Sequence, residues 1–158
     1  MLLYYELRFY GKKSIPMLNF FFLSLTTVFL SLYSFSTDTL KIEKEIYNQI
    51  NTYRTKIGKS KLTYSSENVK SCRNHSLYMG TNWILVHVSS LEEVNARAEI
   101  IQLNTTMNQN EIQAAKSVLD IFIKSLPHKK IIESDFKEIS VGVYTTADED
   151  LWVTVRFY

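Results

Sequence analysis

Val118-Leu119-Asp120-Ile121-Phe122-Ile123-Lys124-Ser125-Leu126-Pro127-His128 begins as an apolar helix and carries its own stop signal. Pro127 lacks an N–H and disfavours the α region for the residue before it, so the helix is expected to end near Ser125. Ser125 is then suited to cap a second, short helix with Pro127 in its first turn. His128 falls at that junction, held by rigid backbone near the positive end of a helix. The position suits a working side chain and, equally, an ordinary buried histidine.

On the N-terminal side of this stretch, Ile112, Ala115, Leu119 and Phe122 fall on one side of the same helix, after a polar loop from Asn104 to Asn110. Ala98 to Leu103 reads as a short strand or extended segment. On the C-terminal side, Ile139–Tyr144 and Leu151–Tyr158 read as strands joined by the acidic turn Thr145–Asp150. Two strands alone are marginal, so this hairpin is expected to pair with the 98–103 segment and to be covered by helices.

Nearer the N-terminus, Ile46, Ile50, Tyr53 and Ile57 recur at helical spacing, and Gly58 fits the end of that helix. Lys59–Tyr64 is a connector with Leu62 tucked beneath it. Ser65 opens a second helix with Val69, Cys72, His75 or Ser76, and Met79 on its inner stripe, and Gly80 marks its end. Trp83-Ile84-Leu85-Val86-His87-Val88 is apolar and β-branched before a polar run. Helices, an extended segment, a helix and then a hairpin make the class α+β rather than alternating β/α.

The leading 36 residues read differently. Lys12 and Lys13 precede an apolar run from Leu18 to Phe35, followed by Ser34-Phe35-Ser36, the layout of a secretory signal peptide. An uncleaved membrane anchor is the alternative, since a span needs roughly 17 to 25 residues. Asn19, Ser24, Thr26, Thr27 and Ser31 weaken that second reading. Either way residues 37–158 are expected to form one domain outside the cytoplasm, secreted or in the cell envelope, with membrane contact only through the leading segment. Of the 158 residues, 46% are hydrophobic, which excludes a disordered chain. A net charge of +2 gives no ground for a nucleic-acid partner. The single cysteine, Cys72, excludes an internal disulfide framework.

Three histidines carry what chemistry the sequence offers: His75, His87 and His128. His75 lies on or beside the apolar face of the second helix, which suits a structural role. His87 ends an apolar run where a side chain can face a cleft. Glu99 sits between Ala98 and Ile100, and a carboxylate in that setting needs a partner. His87, Glu99 and His128 together would make the two-histidine, one-carboxylate set of several catalytic zinc sites. They would equally make a hydrogen-bonded polar cluster ordering three segments. No nucleophile elbow, glycine-rich phosphate loop or paired-cysteine metal motif is present. Lys56, Lys59, Lys61, Lys70 and Arg73 read as a solvated face.

From about Leu40 onward the order of segments resembles the CAP superfamily of cysteine-rich secretory proteins, antigen 5 and plant pathogenesis-related proteins, in its disulfide-free bacterial branch. The residues that carry the likeness are Asn51-Thr52-Tyr53-Arg54, Lys61-Leu62, His75 to Met79, His87 and Ala98-Glu99-Ile100. Ser125-Leu126-Pro127-His128, Ile131-Ile132, Val141-Gly142-Val143 and Trp152 to Phe157 continue it. The resemblance implies a three-layer α-β-α sandwich, with a small, mainly antiparallel sheet, and a cleft. It carries the cleft histidines onto His87 and His128 and the glutamate onto Glu99, with zinc or another divalent cation as the implied metal. Three positions depart from the pattern: Ile100 stands for the usual Asn, Phe122 for the usual Trp, and Ser125 for a second glutamate. The function expected is a binding or interaction module whose ligand, a lipid, peptide or protein, is met at His87, Glu99, His128 and Ser125. The alternative is a divalent-metal-dependent hydrolase, a peptidase or nuclease, using the same residues as catalytic groups.

Overall fold

The computed structural model describes residues 39–105 and 109–158. The leader read over residues 1–36 lies outside the described residues. Among those described, no helix is long and apolar enough to cross a membrane.

Helix α1 spans residues 39–56 and buries Ile42, Ile46 and Ile50, which fall four residues apart on one stripe. It stops at Gly58, whose φ of +78° suits a residue without a Cβ. Strand β1 is Thr63–Tyr64, helix α2 Val69–Asn82 and strand β2 Ala98–Thr105. Helix α3, Glu111–Lys124, opens on a reciprocal capping box between Asn110 and Gln113. Helix α4, Leu126–Ile132, follows at once with Pro127 in its first turn. Strands β3, Glu138–Thr145, and β4, Asp150–Phe157, close the chain as a hairpin.

The four strands lie in the order β1-β3-β4-β2. β4 runs antiparallel to both neighbours, and β1 adds two residues parallel to β3. The expected pairing of the hairpin with the 98–103 segment is present along all of β2. Side chains alternate across a strand, and β4 uses both faces. Leu151, Val153, Val155 and Phe157 enter the main core with residues of α1, α3 and α4. Trp152 joins Met79 of α2 and Ile101 on the other face. Helices on both faces of a small sheet make the α-β-α sandwich. Burying one such large apolar side chain stabilises by about 1.5–3 kcal/mol.

The Asn51–Arg54 segment is structural. Asn51 Nδ2 donates to Leu62 O at 3.1 Å and Asn51 Oδ1 accepts from Leu62 N at 2.8 Å, so one side chain holds the connector as a strand would. Arg54 is 1% exposed and donates to the carbonyls of Ser60, Ile132 and Ser134, tying α1 to the end of α4.

Several local expectations are corrected. Ser65 does not start α2: its amide bonds Ile139 O at 2.9 Å, and a turn precedes the helix. Gly80 lies inside α2 rather than at its end. A Cβ there would fall 2.4 Å from Tyr144 Cδ1 and 2.9 Å from Trp152 Cδ1, so the glycine permits close packing of helix on sheet. The end of α2 is taken by Trp83 in a left-handed conformation (φ 52°), its ring edge-on to Trp152 at 5.9 Å. Residues 84–88, given no element from the sequence, are irregular, and Trp83, Ile84, Leu85 and Val86 stay exposed. Ile112 is also exposed, because the buried stripe of α3 runs through Ala114, Ala115, Val118, Leu119 and Phe122. Arg73, read as part of a solvated face, keeps 41% of its side chain exposed but also clasps the buried Glu43 of α1.

Candidate functional site

Glu99 of β2 and Arg156 of β4 are register partners, so their side chains share the sheet face that α2 covers. Arg156 Nε donates to Glu99 Oε2 at 2.8 Å, and both side chains are buried. Arg156 Nη1 donates onward to Ser71 Oγ of α2. The other carboxylate oxygen, Oε1, accepts the Val88 amide at 2.9 Å and faces His87 Nδ1 at 3.0 Å. His75 Nε2 stands 3.8 Å from the same oxygen and 2.9 Å from Val86 O.

Burial acts to raise the Glu99 carboxyl, but the Val88 amide and then the Arg156 hydrogen bond and charge outweigh it and hold it below its ordinary value. An ionised carboxylate only accepts hydrogen bonds, so His87 Nδ1 is the donor in that pair. In its neutral form His87 therefore keeps the lone pair on Nε2. A carbonyl likewise only accepts, so His75 carries its proton on Nε2. The His87 side chain is 59% exposed and His75 11%. One nearly sealed carboxylate thus holds a histidine whose outer edge faces solvent.

His128 occupies the first turn of α4 beside Pro127. Its ring stands edge-on to Phe122 at 5.4 Å, which accounts for an aromatic residue at that position of α3. Burial, and then the charge of a protonated His87, push its pKa below the ordinary imidazole value. Its Nδ1 is buried without a hydrogen-bond partner among the described residues. Ser125 links α3 to α4 through its backbone, with its N–H on Ile121 O, and makes no side-chain cap.

Of the residues singled out in the sequence, the structure joins His87 to Glu99. His128 comes within electrostatic range of His87 but is not among the hydrogen-bond partners of Glu99. Ile100, beside Glu99, points into the main core. Sequence reasoning missed Arg156, Ser71 and the nearness of His75 to Glu99. The signal for Arg156 was a lone charge inside a strand otherwise able to be buried throughout, which demands a buried counter-charge. Among the described residues no group of three or more His, Cys, Asp or Glu is placed to hold a metal ion. Both Glu99 oxygens already have partners, so the implied three-ligand set does not fit this arrangement.

The sequence model of the cysteine-rich secretory protein (CAP) family matches residues 47–157. The chain belongs to this family. No curated protein sequence matches the chain significantly. Among solved structures, the CAP domain is similar to an outer surface protein of Borrelia burgdorferi, at 18% identity and a TM-score of 0.62. That match covers 76% of this chain and 94% of the Borrelia protein. An extracellular SCP-domain protein of Bacillus anthracis matches at 16% identity and TM-score 0.60, covering 78% of this chain and 42% of that one. NaASP2 with Zn2+ matches at 9% identity and TM-score 0.56, over 74% of this chain and 78% of that protein. Despite the family name, this CAP domain has one cysteine, Cys72, whose buried thiol is pushed up to about 12.

Proposed function

We propose that the protein is an extracytoplasmic binding module of the cell envelope, whose ligand is met at His87, Glu99 and His128. The observation that carries this reading is the His87 ring, fastened at Nδ1 to a buried carboxylate while more than half of its side chain faces solvent. Ordering an exposed imidazole costs side-chain entropy, and the cost is offset when the free edge binds something. Next to it in the chain, Ile84, Leu85 and Val86 are exposed. Apolar area beside one oriented hydrogen-bonding group is the make-up of ligand sites generally, and suits a lipid, peptide or protein. The leader-like first 36 residues, and the outer-surface and extracellular descriptions of two structural relatives, support the location.

In this reading Glu99 orients His87, as a carboxylate behind a histidine does in many sites. The hydrolase alternative has less support, because a catalytic zinc wants three protein donors and the carboxylate is held by Arg156 and Val88. The test is a photo-crosslinker at Leu85 of the full chain, expressed in its native cell. A defined crosslinked partner that disappears in the His87→Ala, His128→Ala double variant is expected. A partner captured equally by the double variant would overturn the reading.

A further inference from the structure

A separate hollow of about 310 Å³ lies where α1, β1 and the first half of α2 meet, lined by Leu40, Glu43, Lys44, Tyr47, Tyr64 and Arg73. None of these residues belongs to the His87–Glu99 cluster. Its walls are fixed by contacts that do not depend on a ligand. Tyr47 donates to Leu62 O at 3.0 Å and stands edge-on to Tyr64, with 5.4 Å between ring centroids. Glu43 is 3% exposed. Its Oε1 accepts the Val143 amide at 3.1 Å, and both of its oxygens are clasped by Arg73. That arrangement follows from the shortness of β1: its pairing with β3 ends at Ile139, and beside Val143 a side chain takes the amide instead.

The charges around the hollow do not cancel. Glu43 and Arg73 neutralise each other, and Lys44, exposed and without an ion pair among the described residues, leaves a single positive charge at the rim. Arg73 uses Nε and Nη2 on Glu43 and leaves Nη1 without a partner among the described residues. Lys44 also borders a neighbouring hollow, but there Glu45 and Glu111 balance Lys41 and Lys44 and leave no net positive charge. Two aromatic rings and a leucine below, with cationic donors at the rim, form a site for an amphipathic anion. The volume is at the small end of ligand pockets, which run from about 300 to 1,000 Å³.

We infer that this hollow is a second binding site, for a small aromatic or alicyclic carboxylate whose ring packs on Tyr47, Tyr64 and Leu40 and whose carboxylate meets Lys44 and Arg73. The test uses naphthoate as the probe, titrated into the isotope-labelled full chain while backbone amide shifts are followed. Saturable shifts at Leu40, Tyr47, Tyr64 and Arg73 are expected. Naphthalene methanol, of the same shape without the charge, should bind more weakly. Lys44→Glu exchanges a surface attraction for a repulsion and should weaken naphthoate about tenfold while leaving the alcohol unchanged. Leu40→Trp, at a half-exposed position, should block both probes, and His87→Ala should affect neither. No saturable shift at these residues, equal binding of acid and alcohol, or indifference to Lys44→Glu would each overturn the inference. Because the variants lie in a different part of the fold from His87, failure here leaves the binding role proposed for the histidine cluster standing.

Discussion

Glu99 and Arg156 face each other across the β2–β4 ladder, and their 2.8 Å ion pair is the base on which His87 and the 86–88 backbone rest. The pair is nearly sealed from water, with 2% and 1% of the two side chains exposed. Removing one charge leaves the other buried and unpaired, at a cost of about 3–5 kcal/mol. Glu99→Gln is therefore expected to lower the denaturant midpoint strongly without changing the slope of the transition. Because Gln cannot neutralise Arg156, the close similarity in shape gives little relief. A Glu99→Gln protein as stable as the parent would show that the pair is not held as described.

Acid should weaken the fold in two stages. His128 is held below its ordinary value of 6.5, by burial and then by the charge of His87, so folding favours its neutral form. Its contribution is complete above pH 6.5 and is lost as the pH falls below it. Glu99 is held below its ordinary 4.5, so its contribution is complete above pH 4.5 and is lost on further acidification through its lowered folded value. Denaturant unfolding at a series of pH values checks both. His128→Gln should flatten the upper stage and leave the lower one.

Arg54 was legible as a family residue but its work was not. It bonds three carbonyls from two chain turns while 1% exposed. Arg54→Lys keeps the charge and loses the planar fork, so the protein is expected to lose about 2–4 kcal/mol, little better than Arg54→Ala. Calorimetric melting of the two variants provides the comparison. Full stability in Arg54→Lys would mean that charge alone suffices.

Gly142 should tolerate no side chain. A Cβ there would lie 2.2 Å from Arg73 N and 2.3 Å from Cys72 C, both backbone atoms that cannot move aside without displacing α2. Gly80→Ala instead meets the Tyr144 and Trp152 side chains. Gly142→Ala is expected to unfold the domain or lower its melting temperature more than Gly80→Ala, measured by circular dichroism.

The sequence was most informative where one periodicity ruled. Ile46 and Ile50 of α1, the Pro127 junction and the β3–β4 hairpin with its β2 partner follow from spacing and turn chemistry, whereas Ile57, read on the same stripe, lies past the end of α1 and is exposed. β1 was not legible, because a strand of two residues leaves no pattern. Trp83–Val88 was not legible for another reason: a β-branched apolar run remains exposed and irregular, since its place is fixed by Trp83 capping α2 and by Val88 bonding Glu99. At the site, Glu99 announced its need for a partner, but spacing could not name Arg156, 57 residues away. His75 was read from the apolar side of α2, and its 3.8 Å approach to Glu99 depends on how that helix rolls on the sheet.

The most direct test is a long-range proton–nitrogen correlation spectrum of the histidine rings in the full chain at a pH where they are neutral. His87, donating to an ionised Glu99, should be protonated at Nδ1 with a bare Nε2, and His75, donating to Val86 O, should show the opposite tautomer. His87 with its proton on Nε2, or exchanging between tautomers like free imidazole, would contradict the claim that a buried carboxylate orients it.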